Sequence, residues 1–180
     1  MILGAFSLFF IFTDPVLSAD LKDEFLGIKW GTDLSQLKSF YVLYKKGDFV
    51  YYVNPDKYYQ INQSVLPPAI YGCYKGQFFA AYIRLDQEES FDEINSYMNS
   101  KYGLSMIKAG PRQEINRWKY DKIKIKLKSG NEGKGMKLAF YYTPISDQLN
   151  ETEHVKIEQN LKFLPIEKNK KYPAIPLLIF

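Results

Sequence analysis

Apolar and polar positions alternate most regularly between residues 70 and 142, and this pattern sets the predicted elements. Ile70 to Tyr74 and Gln77 to Leu85 are rich in aromatic and β-branched residues. The Lys75-Gly76 step between them marks a hairpin, because glycine takes positive φ without strain. The second strand sets Phe79, Ala81, Ile83 and Leu85 on one face and Phe78, Ala80, Tyr82 and Arg84 on the other. Aromatics on both faces indicate a central strand. Ser90-Phe91-Asp92-Glu93 has the capping-box spacing that satisfies unpaired amides at a helix start. Phe91, Ile94, Met98 and Tyr102 then recur at helical spacing, Tyr97 widens the stripe, and Gly103 is placed to end the helix in the left-handed conformation. That stripe is expected to lie on the sheet.

Lys122 to Lys128 alternates strictly, with Ile123, Ile125 and Leu127 inward and the lysines outward. Met136 to Tyr142 reads as the returning strand, Arg117 to Tyr120 begins one before it, and Gly103 to Pro111 reads as a loop. Upstream, Phe49 to Val53 is a strand followed by Asn54-Pro55-Asp56 turn chemistry. Asp33 to Phe40 reads as a short helix with Leu34, Leu37 and Phe40 or Tyr41 inward, capped by Thr32 or Asp33. Pro144 closes the sheet, and Ser146 to Glu153 predicts a last helical turn. The expected fold is one α+β domain over residues 20–150, a single antiparallel sheet of about five strands with two helices on one face. Residues 151–180 are expected to be a C-terminal extension, either packed on the domain or mobile.

Ile2 to Phe12 is an apolar run ended by Thr13-Asp14-Pro15. It falls short of the about 20 residues that span a bilayer but fits the apolar region of a secretory signal. Val16 and Ser18, or Leu17 and Ala19, offer the small-residue cleavage positions. Residues 1–19 are therefore expected to be a signal peptide cleaved near Ser18 or Ala19. The mature chain would be periplasmic or secreted, with no transmembrane span. No Lys or Arg precedes the apolar run, which keeps an uncleaved N-terminal anchor as the alternative.

The opening F-x-G-I-x-W-G-T at Phe25 to Thr32 is followed by a predicted short helix, a hairpin, a helix ending Lys101-Tyr102-Gly103, and Trp118 before paired strands. Over about residues 23–150 this arrangement resembles a family of small uncharacterised exported bacterial domains. The resemblance implies secretion and an α+β fold. The family has no established activity, so the resemblance implies no catalytic residue.

Composition narrows the chemistry. At 180 residues and 46% hydrophobic the chain can bury one core, and its 15 Tyr and 13 Phe suit strands. The formal charge of +4, which becomes +5 if Asp14 leaves with the signal, is spread among acidic residues. Dedicated nucleic-acid binders carry a stronger basic footprint, and no nucleic-acid partner is expected. One Cys and one His provide neither an intrachain disulfide nor a zinc set, and no metal or cofactor is expected. Cys73 and His154 are the one pair able to imitate a thiol and its base, but a thiol inside a strand is ordinarily inert. The loop Gly130 to Gly135 lacks the spacing, the Ser or Thr after Lys134 and the following helix of a phosphate loop. Glu88-Glu89 and Asp92-Glu93 read as solvated or helix-capping carboxylates.

Two surfaces remain as candidates. Lys122, Lys124, Lys126 and Lys128 form a row suited to anionic lipid, lipopolysaccharide or an acidic protein, or simply a solubilising face. Trp30, Tyr51, Tyr52, Tyr58, Tyr59 and Trp118 form either an aromatic platform or core packing. The expected function is an exported, non-enzymatic accessory or binding domain of the bacterial cell envelope, acting on an envelope protein or surface polymer. The alternatives are a small hydrolase using carboxylates in a Tyr-lined pocket and an anionic-surface binder using the Lys-rich strand face.

Overall fold

The computed structural model describes residues 20–61, 64–85, 90–110, 113–129, 136–166 and 171–177. Strands β1 (Glu24–Phe25) and β2 (Ile28–Lys29) form a small hairpin, followed by a single 3-10 turn at Leu34–Gln36. Next come β3 (Tyr41–Lys46), β4 (Phe49–Val53), β5 (Tyr58–Ile61), β6 (Ser64–Leu66), β7 (Ile70–Tyr74) and β8 (Gln77–Leu85). Helix α1 (Ser90–Tyr102) precedes β9 (Met106–Gly110), β10 (Gln113–Tyr120), β11 (Ile123–Lys128) and β12 (Met136–Tyr142). The chain ends in α2 (Thr143–Ser146), α3 (Glu151–Gln159) and β13 (Ala174–Pro176).

Strand accounts for 47% of the structure against 19% helix, so the fold is mostly β and the α+β expectation is corrected. Eight strands, not about five, form one antiparallel sheet in the order β3-β4-β7-β8-β12-β11-β10-β9. Two four-stranded meanders build it: α1 carries the chain from β8 to the far edge at β9, and β12 returns to pair with β8. The expected first helix is only the 3-10 turn. Leu34 is buried there, but Leu37 is 37% exposed, so the apolar spacing never becomes a helical stripe. The helices also lie on opposite faces of the sheet, not on one.

The first face collects Tyr52, Tyr71, Phe78, Ile83, Trp118, Ile125, Leu138 and Phe140 under Ile94 and Met98 of α1. The second face collects Tyr51, Phe79, Tyr82, Ala139 and Tyr141 under Ile145 of α2 and Ile157 of α3. A bulge in the β7–β8 register pairs Gly72 with Ala80 but Cys73 with Phe78. It shifts the alternation by one, so Phe78 and not Phe79 joins Ala81, Ile83 and Leu85 on the first face.

The β7–β8 turn is the two-residue hairpin that the sequence suggests, with Lys75 at φ 49 and Gly76 at φ 78. Gly103 ends α1 at φ 84, and its amide donates to Asn99 O at 3.0 Å. Asn99 also fastens α1 to the sheet, its Oδ1 accepting from Trp118 Nε1 at 3.0 Å. The C-terminal segment packs on this body: α3 covers the second face, and β13 pairs in parallel with β5 beside β6.

Candidate functional site

On the first face, beyond the C-terminal end of α1, lies a cavity of about 820 Å³. The β1–β2 hairpin supplies Phe25, α1 supplies Tyr97 and Tyr102, β10 supplies Tyr120, β12 supplies Phe140, and β5 supplies Tyr59. Ile175 and Leu177 close it from the β13 side. The hairpin holds its place because Leu26 and Gly27 turn at φ 52 and 84 and because Trp30 anchors its exit. That indole stacks on Phe78 at 4.7 Å and donates to Leu21 O at 2.9 Å.

The polar groups of the cavity are tyrosine hydroxyls and four charged side chains. Tyr59 and Tyr71 share a hydroxyl hydrogen bond of 2.8 Å that ties β5 to the large sheet. Asp20, Glu24, Lys57 and Lys101 are exposed or half-exposed among the lining residues. Tyr120 Oη donates to Asp20 Oδ1 at 3.3 Å, and Lys101 Nζ donates to Tyr97 Oη at 3.2 Å. The Lys22 amide, with the Lys22 ammonium and the Tyr120 hydroxyl, holds the Asp20 carboxyl below its ordinary range. A general acid requires the opposite shift. The cavity can enclose an apolar body, and its charges can orient a polar end.

The second face carries a different constellation. Glu158 is buried in α3, and its Oε1 accepts from Tyr141 Oη at 2.7 Å and Tyr82 Oη at 3.0 Å. His154, one turn earlier, places Nε2 3.2 Å from the same oxygen and 3.0 Å from Tyr82 Oη. Because the single Tyr82 proton goes to Glu158, His154 Nε2 must carry the hydrogen and donate. Lys128 Nζ stands 3.7 Å from Glu158 Oε2, and Lys137 Nζ donates to the Glu158 carbonyl at 3.2 Å.

Burial pushes the Glu158 carboxyl up, but His154, Lys137, Lys128 and the Tyr141 hydroxyl together outweigh it and hold the pKa below normal. Burial lowers His154, Glu158 opposes this, and Lys126, Lys128 and Lys137 add to the lowering. Burial likewise brings Lys137 down to about 8. At neutral pH an ionised Glu158 thus sits beside a neutral His154. His154 and Glu158 are buried, and the physical role of the cluster is to fasten α3 to the sheet.

The lysine row is not a free surface. Lys124 pairs with Asp147 at 3.1 Å, Lys126 lies over the Tyr141 ring at 4.8 Å, and Lys128 serves Glu158, leaving Lys122 exposed at the turn. The six aromatics do not gather either. Tyr51 is buried on the second face, and Tyr52, Tyr59 and Trp118 are buried in the first-face core. Trp30 packs against that core, and Tyr58 stacks on Tyr172 at 3.9 Å. Of these six only Tyr59 lines the cavity. Cys73 and His154 lie on opposite faces, and burial pushes the Cys73 thiol up to about 12. The loop 130–135 and Glu88-Glu89 lie outside the described residues, while Asp92 and Glu93 are exposed in the first turn of α1. Among the described residues no group of three or more His, Cys, Asp or Glu is placed to hold a metal ion, and no helix is long and apolar enough to cross a membrane.

The sequence reading missed the cavity because its walls come from six separate elements. The one available sign of the second cluster was the i, i+4 spacing of His154 and Glu158. Comparison of the chain with protein-family models, with curated proteins and with solved structures finds no match in any of the three.

Proposed function

We propose that this chain is an exported, non-enzymatic binding domain of the bacterial envelope whose ligand seat is the first-face cavity. The observation that carries the reading is an open cleft of about 820 Å³ lined mainly by aromatic and aliphatic side chains, with Asp20 and Lys101 exposed and Glu24 and Lys57 half-buried among them. Ligand sites are concave, mainly apolar and equipped with a few polar groups that fix orientation. The ligand class that fits is a single-chain amphiphile, its apolar body against Phe25, Tyr102 and Phe140 and an anionic end toward Lys57 and Lys101. Export is supported by the apolar run Ile2 to Phe12 and the small residues before Asp20.

The hydrolase reading is the weaker one. A Tyr-lined pocket with carboxylates is present, but Asp20 is exposed and its pKa is lowered.

Fluorescence titration with anilinonaphthalene sulfonate, followed by competition with lauric acid, tests the proposal. Saturable one-site binding, displaced by lauric acid and abolished by Ile175→Trp, is the expected result. Ile175 is 40% exposed at the cavity mouth, so the larger ring blocks entry without disturbing the core. Binding indifferent to Ile175→Trp would overturn the proposal.

A further inference from the structure

Charge is distributed unevenly along this chain. Residues 104–128 hold eight Lys or Arg against two Asp or Glu, a net +6 in a protein whose total is +4, so the remaining 155 residues carry −2. The register gathers much of this charge on the second face. Arg117 sits opposite Lys126, Lys119 opposite Lys124, and Ile115 opposite both Lys128 and Lys108. Among the described residues, the C-terminal segment answers part of it, through Asp147 at Lys124 and Glu158 at Lys128. Lys108 and Lys119 are exposed, and Arg117 Nε is buried with no hydrogen-bond partner among the described residues.

Beside these cations the edge strand β9 and Leu104, two residues before it, expose large apolar side chains. Leu104 is 91%, Met106 68% and Ile107 63% exposed. Met106 pairs with Arg117 and Ile107 with Asn116, so apolar groups stand on both faces of the edge. An acidic protein or free polyanion would account for the cations alone. A surface that is both anionic and able to receive apolar side chains accounts for both features.

We infer that the β9–β10–β11 edge docks on an anionic phospholipid surface. Leu104, Met106 and Ile107 enter the headgroup boundary, and Lys108, Arg117 and Lys119 meet lipid phosphates. The four-lysine row contributes through its exposed end at Lys122, because Asp147, the Tyr141 ring and Glu158 already engage Lys124, Lys126 and Lys128. This docking does not depend on the cavity. A membrane partner for the edge and an amphiphile for the cavity are separate claims.

Vesicle co-sedimentation of the full chain tests it, with phosphatidylglycerol–phosphatidylcholine vesicles compared with phosphatidylcholine alone. The parent is expected to bind the anionic vesicles and to release as salt rises, because screening weakens exposed charge contacts. Lys108→Gln with Lys119→Gln should lower partitioning about thirtyfold, given the usual contribution of each basic residue near such a surface. Leu104→Ser with Met106→Ser and Ile107→Ser should lower it at constant charge. Any contribution of the N-terminal apolar run is common to every variant, and these exposed positions leave the unfolding midpoint unchanged. Ile175→Trp should bind vesicles like the parent, which separates this outcome from that of the cavity. Equal binding to neutral vesicles, or binding insensitive to either variant set, would overturn the inference. So would competition by soluble polyglutamate that the apolar variant leaves intact, which would assign the edge to an acidic polypeptide.

Discussion

Strand β11 sends Ile123, Ile125 and Leu127 to one face of the sheet and Lys124, Lys126 and Lys128 to the other, and each face recruits its own kind of cover. The first face takes an amphipathic helix, with Ile94 and Met98 meeting the apolar side chains directly. The second takes a helix whose buried side chains, among those described, are His154, Ile157 and Glu158, two of the three polar. Apolar burial is non-directional and tolerates small shifts, whereas a buried carboxylate is stable only when each of its partners is in place. The same sheet is therefore held robustly on one side and conditionally on the other.

Breaking the second face at its centre should have the largest effect. Glu158→Leu leaves Lys128 without its carboxylate partner and the Tyr82 and Tyr141 hydroxyls without their acceptor, and such a loss costs about 3–5 kcal/mol by chemical denaturation at neutral pH. On the first face, Ile94→Ala empties a fully buried site and should cost about 2–5 kcal/mol by the same measurement. Acid sharpens the contrast: the Ile94→Ala loss should persist at low pH, while the Glu158→Leu loss should shrink.

The sign of that pH effect follows from two lowered values. The Glu158 pKa is lowered from 4.5, so its contribution is complete above about pH 4.5 and is lost as pH falls through the folded value. The His154 pKa is lowered from 6.5, so below about pH 6.5 the unfolded chain binds a proton that the native state does not. Both make stability fall on acidification. Denaturation midpoints should decline from pH 7 to pH 5, and His154→Gln should flatten that decline; an unchanged slope would contradict the assignment. The smallest effect belongs to the α1 terminus, where Gly103→Ala at φ 84 should cost about 1 kcal/mol in thermal unfolding.

What the sequence disclosed follows the same division. Helix α1 and strand β11 were legible because each buries one face and shows the corresponding period, and the β7–β8 hairpin because Lys75-Gly76 separates two apolar runs buried on both faces. Strands β3 and β9 were not. They are the two edges of the sheet, and Tyr41, Val42, Met106 and Ile107 stay exposed, so alternation carries no burial signal there. Without them the sheet read as about five strands and the protein as α+β. The bulge beside Gly72 was equally hidden, because the strand reads as regular with either Phe78 or Phe79 inward. His154 and Glu158 showed helical spacing, but their hub depends on Tyr82, 72 positions before His154. The cavity had no periodic trace at all, since Phe25, Tyr59, Tyr102, Tyr120 and Phe140 meet only in the folded chain.

The central claim is that the apolar cavity of the first face receives an amphiphile. Its most direct test is a heteronuclear NMR titration of the folded chain with lauric acid. The account predicts shifts confined to Leu21, Phe25, Tyr102, Tyr120, Phe140 and Leu177, saturating together, with the second-face residues Tyr82, His154 and Glu158 unmoved. Shifts centred on Leu104, Met106 and Ile107, or no saturable shift at all, would contradict it.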